Sequence, residues 1–353
     1  MKLLSAATRN LNRRRFLATT LNAAVGAQMV GWSSAVAAGQ GQLNKNSVTL
    51  IDSHTHFYDP TRAQGVPWPP REHKLLYRTV LPKDYRAVLV PRPVSGTIVV
   101  EASPWLEDNQ WVLDLAAREP FIVGFVGNLP AGTKEFREHL KRFAANKIFR
   151  GIRLHGNKLG SNTDALVGDL KLLAKRDLSL DLVGGAEMLP AANRLAKEIP
   201  DLRIIIDHLA GVVVDGKAPP AKWLEQMQTL ARRRNIFFKL SGLVEGTGRG
   251  DGSASTDAAF YRPVLDAMLK IFGPSRLIYA SNWPVSEMFA SLDTVQTIVQ
   301  DFTRSRGRGT EEQVFSQSSR AAYRWTARKR CIALGRDGEK WCARRDSNAG
   351  PSA

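Results

Sequence analysis

Eight short apolar, β-branched segments alternate with stretches of helical spacing between residues 48 and 325, which predicts an α/β fold, a (β/α)8 TIM barrel. Two further observations support closure. The eight units occupy the length typical of one barrel. No Gly-rich phosphate loop follows the first strand, so the rival, an open doubly wound sheet, lacks its usual signature.

The first strand is the run Val48-Thr49-Leu50-Ile51, ended by Asp52-Ser53-His54-Thr55-His56-Phe57. A Pro-rich loop spans 59–70, and Pro82 opens a helix to Val90. Strands are then expected at Gly96–Ala102, Phe121–Val126, Phe149–Leu154, Leu178–Val183, Leu202–Asp207, Ile236–Leu240 and Arg276–Ala280. Helices lie between them at Leu106–Arg118, Thr133–Ala145, Ala165–Arg176, Met188–Glu198, Ala221–Arg234 and Ala258–Phe272. The second of these repeats apolar residues at Phe136, Leu140 and Phe143, one helical face. Two more helices run to about Trp325.

The ends differ from the body. The net charge is +17, of which residues 1–37 carry +5 and residues 327–353 carry +4. Within 1–37, a twin-arginine run, Asn12-Arg13-Arg14-Arg15-Phe16-Leu17, precedes an apolar stretch and the small-residue site Ala35-Val36-Ala37. That order predicts a signal for export of the folded protein to the periplasm. The apolar stretch is too short and polar for a stable membrane span. Residues 327–353 lose periodicity and are expected to form a disordered basic tail. Both cysteines, Cys331 and Cys342, lie there, so the body has neither an internal disulfide nor a thiolate metal site. No basic run interleaved with aromatics occurs, so nucleic acid is not an expected partner. A small molecule, anionic or sugar-derived, is.

In a barrel of this kind chemistry sits at the C-terminal ends of the strands. Those ends carry His54, His56, Glu101, Arg153, His155, His208, Lys239 and Asn282. His54 and His56, two apart, are expected to converge and to bind a metal or polarise a carbonyl. Arg153, His155 and Lys239 are candidate substrate contacts. Glu101, His208 and Asn282 are the candidate catalytic residues.

The stretch Ile51-Asp52-Ser53-His54-Thr55-His56-Phe57-Tyr58-Asp59-Pro60 resembles the opening of the amidohydrolase-2 family. So do Gly151-Ile152-Arg153, Ile206-Asp207-His208-Leu209-Ala210-Gly211, Lys239-Leu240-Ser241-Gly242-Leu243 and Arg276-Leu277-Ile278-Tyr279-Ala280-Ser281-Asn282-Trp283-Pro284-Val285. Within that family the match is nearest to sugar-lactone hydrolases and dicarboxylate lactonases. The resemblance implies a metal-dependent-hydrolase barrel with His54 and His56 as first-strand ligands or carbonyl polarisers, and His208 as the sixth-strand histidine. Members of this branch work with or without a tightly held metal.

Two departures matter. The family's last-strand motif carries an Asp where this chain has Asn282, and a carboxamide cannot take a proton as a base. The fifth strand ends in Gly184-Gly185 and supplies no histidine. The expected function is therefore a hydrolase that opens a cyclic ester, a sugar-derived or dicarboxylate lactone, with Glu101 or His208 as relocated base. The expected cofactor is one loosely held divalent metal (zinc) or none. The alternatives are a decarboxylase on the same barrel and a binding protein that lost turnover with the Asp.

Overall fold

The computed structural model describes residues 49–161 and 164–328, with the backbone of 332–333 and 340–341. The expected export signal at 1–37 lies outside the described residues, as does most of the tail after Arg328. The two short backbone stretches in that tail, Ile332–Ala333 and Lys340–Trp341, pair antiparallel.

Eight strands form one parallel sheet in chain order. They are β1 (Ile51–Thr55), β2 (Gly96–Val100), β3 (Ile122–Gly127), β4 (Phe149–His155), β5 (Ser179–Val183), β6 (Arg203–Ile206), β7 (Ile236–Leu240) and β8 (Leu277–Tyr279). The helices are α1 (Pro82–Ala87), α2 (Leu106–Arg118), α3 (Phe136–Ala144), α4 (Asp164–Lys175), α5 (Leu189–Glu198), α6 (Ala221–Ala231) and α7 (Ala258–Phe272), followed by α8 (Leu292–Ser305), α9 (Arg308–Glu312) and α10 (Ser318–Tyr323). Phe136, Leu140 and Phe143 of α3 are all buried, as their spacing requires. Asp257 caps α7 and Ser291 caps α8, each accepting a backbone N–H of the first turn.

Two elements differ from expectation. The first strand starts at Ile51 rather than Val48 and continues through His54 to Thr55. Its polar residues look like loop in isolation, but the barrel supplies their partners. The two expected final helices are three, with a π turn over Gln313–Gln317 joining the last two.

Closure brings β1 against the segment after β8. Thr55 pairs in parallel with Trp283. The Asn282 N–H donates to the His54 carbonyl and the His56 N–H to the Trp283 carbonyl, each at 2.9 Å. Below these bonds the fully buried Asp52 carboxylate joins both sides. Its Oδ1 accepts from the Ser281 N–H at 2.9 Å and the His54 N–H at 3.2 Å. Its Oδ2 accepts from the Tyr85 hydroxyl at 2.7 Å. The seam of the barrel thus fixes the backbone that carries His54, His56 and Asn282.

Inside the barrel Ile51, Ile98, Val100, Val123, Val126, Ile205, Phe237 and Ile278 pack together, and Tyr323 and Trp325 join that cluster. The larger apolar layer lies between strands and helices. Gly151 of β4 permits close strand packing: a Cβ there would sit 2.4 Å from the Ser179 carbonyl oxygen. Order continues past residue 327, where the tail was expected to begin. Arg328 Nη1 donates to the carbonyls of Ala116, Ile122 and Glu119 at 2.7, 2.9 and 3.2 Å. Among the described residues no helix is long and apolar enough to cross a membrane.

Asp52→Ala is expected to lower unfolding stability by about 3 kcal/mol or more, because buried donors lose their acceptor. Tyr85→Phe removes one of the three bonds and is expected to cost less. Urea unfolding of the two variants checks the order; equal losses would deny Asp52 its role at the seam.

Candidate active site

A pocket of about 880 Å³, counting the space at its open mouth, lies at the C-terminal ends of the strands. His56, Trp68, Glu101, Asn128, Arg153, His155, His208 and Asn282 supply its polar and aromatic wall. Trp68 comes from the Pro-rich loop after β1 and stands edge-on to His56, ring centres 5.9 Å apart. Its volume suits a small ligand.

The two histidines of β1 converge as their spacing predicts. His54 Nε2 and His56 Nε2 are 3.2 Å apart. His56 Nδ1 donates to the Val100 carbonyl at 3.0 Å, so a neutral His56 turns an Nε2 lone pair toward His54. Burial holds both rings below the usual imidazole range, His56 at about 3, and for His56 the nearby Arg153 charge adds to the effect. His208 is lowered to about 4, again by burial. All three imidazoles are neutral at pH 7.

The segment holding His208 is strained. His208, Leu209 and Ala210 have φ of 51, 52 and 53°, a left-handed run that non-glycine residues seldom adopt. His208 Nδ1 is 2.8 Å from the Ser241 hydroxyl. Gly242 lets β7's exit close on this turn, since a Cβ there would lie 2.7 Å from His208 Cβ. Asn282 also sits at positive φ, 59°, where Asn is among the more tolerant residues.

Lys239 departs from expectation. It does not reach the pocket as a substrate contact. It is the fourth residue of β7, two after the inward Phe237, and points into the barrel. It is fully buried. Its Nζ lies 2.5 Å from Asp181 Oδ2, 2.9 Å from Asp207 Oδ1 and 3.0 Å from His54 Nδ1. The Tyr323 hydroxyl donates to Asp181 Oδ2 at 2.8 Å. Burial pushes Asp181 up to about 6 against the pull of the ammonium. Burial also acts to raise Asp207, but the Lys239 charge overrides it and holds that carboxylate well below its usual range. His54, likewise fully buried, lies behind His56 rather than on the pocket wall.

Glu101 and Arg153 form one unit on the pocket wall. Arg153 Nε donates to Glu101 Oε1 at 2.8 Å, and Nη2 lies 2.8 Å from both that oxygen and the Glu101 carbonyl. Burial raises the Glu101 carboxyl, and Arg153 opposes the rise. Arg153 Nη1 remains for a ligand oxygen. Asn282 Oδ1 is 3.3 Å from His56 Nε2, while its Nδ2 donates to Glu245 Oε1 at 2.9 Å. Burial pushes Glu245 up to about 7.

Six of the eight expected residues therefore line the pocket: His56, Glu101, Arg153, His155, His208 and Asn282. Sequence reasoning missed Asp181, Glu245 and Trp68. Asp181 had a signal, an acid between Leu180 and Leu182 in an apolar strand, which demands an internal partner. Glu245 and Trp68 stand on loops with no such signal.

A parallel barrel with paired histidines at the mouth of β1 and a strained His on the β6 turn defines a barrel hydrolase. The chain belongs to the amidohydrolase family, whose model matches residues 51–325. It is 32% identical over 242 residues to an L-fucono-1,5-lactonase of Burkholderia ambifaria, covering 67% of this chain and 81% of that one. It is 28% identical over 295 residues to an L-fucono-1,5-lactonase of Burkholderia multivorans, covering 80% and 96%. An amidohydrolase of Burkholderia multivorans with bound zinc shares the fold, with a TM-score of 0.71 at 24% identity, covering 79% of this chain and all of that one.

The donor set fits a divalent metal. Two nitrogens bound tetrahedrally at ~2.0–2.1 Å from one ion stand about 3.3 Å apart, close to the observed spacing of the His54 and His56 Nε2 atoms. His54, Asp207 and His208 also place one ligand atom each within 4.8 Å of one another.

Glu245 yields a pH prediction. Its folded value of about 7 exceeds the ordinary 4.5, so its contribution to stability is full below pH 4.5 and is lost as pH rises through 7. Glu245→Gln is isosteric and still accepts from Asn282. The variant should be more stable than the wild type at pH 8.5 and equal to it at pH 4.5. A wild-type advantage at pH 8.5 in thermal unfolding would contradict this assignment.

Proposed function

We propose that this protein hydrolyses a neutral, sugar-derived lactone rather than a dicarboxylate lactone. The observation that carries the choice is the charge of the pocket. Arg153 is the only lysine or arginine lining it among the described residues, and Glu101 already neutralises it. Lys239, the other expected cation, is engaged inside the barrel. A doubly anionic ligand would bring uncompensated charge into a half-closed site, which is costly. The relatives named as L-fucono-1,5-lactonases agree with this reading.

In this proposal the sugar ring lies against Trp68, with the lactone carbonyl beside His56 and His208. Arg153 Nη1 and His155 bind ring hydroxyls. Glu101 accepts a proton from water as the water oxygen bonds to the carbonyl carbon. The bond from that carbon to the ring oxygen then breaks. The ring oxygen takes that proton back from Glu101, and the hydroxy acid formed ionises at neutral pH. A divalent ion held by His54 and His56, for which zinc is the candidate, supplies Lewis-acid polarisation of the carbonyl when bound. Asn282 offers that region a neutral oxygen where the resembling family has a carboxylate, so the ion is expected to be loosely held and removable by chelator.

Two measurements test the proposal. With a pH indicator, a neutral aldonolactone should release acid and a pyrone dicarboxylate should not; the reverse preference would sink the charge argument. Glu101→Gln should lower lactone turnover by about 10²–10⁴-fold, the range for general-base loss, and more than Asn282→Ala does. Full activity in Glu101→Gln with none in Asn282→Ala would remove Glu101 as base.

We also propose export of the folded chain through its twin-arginine N-terminus. Arg13→Lys with Arg14→Lys should leave the protein in the cytoplasm. Unchanged periplasmic protein would refute the signal.

A further inference from the structure

We propose that the buried Lys239 ammonium and a divalent cation compete for His54, so that this lysine sets how weakly the site holds metal. A proton count carries the inference. A lysine ammonium has three N–H donors and no acceptor. Lys239 Nζ donates to Asp181 Oδ2 at 2.5 Å and to His54 Nδ1 at 3.0 Å, and stands 2.9 Å from Asp207 Oδ1 in an ion pair. The bond to His54 requires an unprotonated Nδ1, so a neutral His54 carries its proton on Nε2.

That nitrogen faces His56 Nε2 at 3.2 Å, and His56 uses its own Nδ1 proton on the Val100 carbonyl. The bonds thus run one way, from Lys239 to His54, from His54 to His56, and from His56 to Val100. Each bond of this run pairs a donor with an acceptor, while the Asn282 amide oxygen stands 3.3 Å from the His56 Nε2 lone pair. The same arrangement places a proton where a metal needs a lone pair.

Metal binding through His54 Nε2 must move that proton to Nδ1. The Lys239 bond to the ring is then lost, and Nδ1–H turns to Asp207, whose Oδ1 lies 3.6 Å away. Both forms of His54 are neutral. The competition is between two tautomers.

The test uses the full chain, metal-free, with histidine labelled in ¹⁵N and His54 assigned by its loss in His54→Gln. In the wild type the protonated ring nitrogen of His54 should be Nε2. Protonation at Nδ1 would overturn the proposal, whatever any variant does. The second arm is Lys239→Met with Asp181→Leu, which removes the ammonium together with the carboxylate that would be left unpaired, and keeps Asp207. In this variant the proton should move to Nδ1.

Zinc titrated alone against a competing chromophoric chelator should bind the variant about 10- to 100-fold more tightly than the wild type, the factor for one charge-assisted hydrogen bond. Equal or weaker zinc affinity in folded variant would overturn the proposal. Neither readout depends on turnover, so failure of the lactone reading leaves the proposal standing, and failure here leaves the lactone reading standing.

Discussion

One ammonium group sits where the interior of the barrel changes from apolar to reactive. Lys239 is fully buried, and its ion pairs join β7 to Asp181 of β5 and to Asp207 at the exit of β6, while its third bond reaches His54 of β1. Removing the ammonium would leave Asp181 and Asp207 without a cation in a low-dielectric interior, which is strongly destabilising. The group therefore constrains four strands at once. Tyr323, from the last helix, reaches the same cluster from within the apolar core through Asp181. The apolar core and the reactive face are coupled through these few polar side chains.

The seam adds a second constraint with the same outcome. His54 and Asn282 lie on opposite sides of the barrel's closing edge and are linked by a backbone bond. Asp52 holds both sides through its side chain. The positions of the His pair and of Asn282 are thus set by barrel closure and do not depend on flexible loops. Strain is concentrated in the left-handed turn at His208. Such strain persists when the surrounding structure over-determines it, and here Gly242 and Ser241 pack against the turn from β7.

These constraints shape the electrostatics of the pocket. Its wall holds the neutral imidazoles of His56 and His208, one internally neutralised Arg–Glu pair and the carboxamides of Asn128 and Asn282. The strongest charges of the region lie one layer deeper, where they orient groups and do not meet ligand. The carboxylate Glu245 stands behind Asn282 and receives its amide N–H, which turns the amide oxygen toward His56.

The barrel was legible in the sequence because each strand is buried on both faces, and burial on both faces writes an apolar, β-branched run between turns. The exit of each run could be read too, which is why six of eight candidate residues meet in one pocket. Depth could not be read. Lys239 lies at the same end of its strand as the pocket residues, but one residue short of the strand's exit the side chain turns inward, and only the neighbouring strands show the acids waiting for it. Glu245 and Trp68 come from loops whose path no periodicity encodes. Local side-chain alternation determined which residues belong to the barrel. Tertiary closure decided which of them face ligand and which face one another, because that depends on partners contributed from as far away in the chain as residue 323.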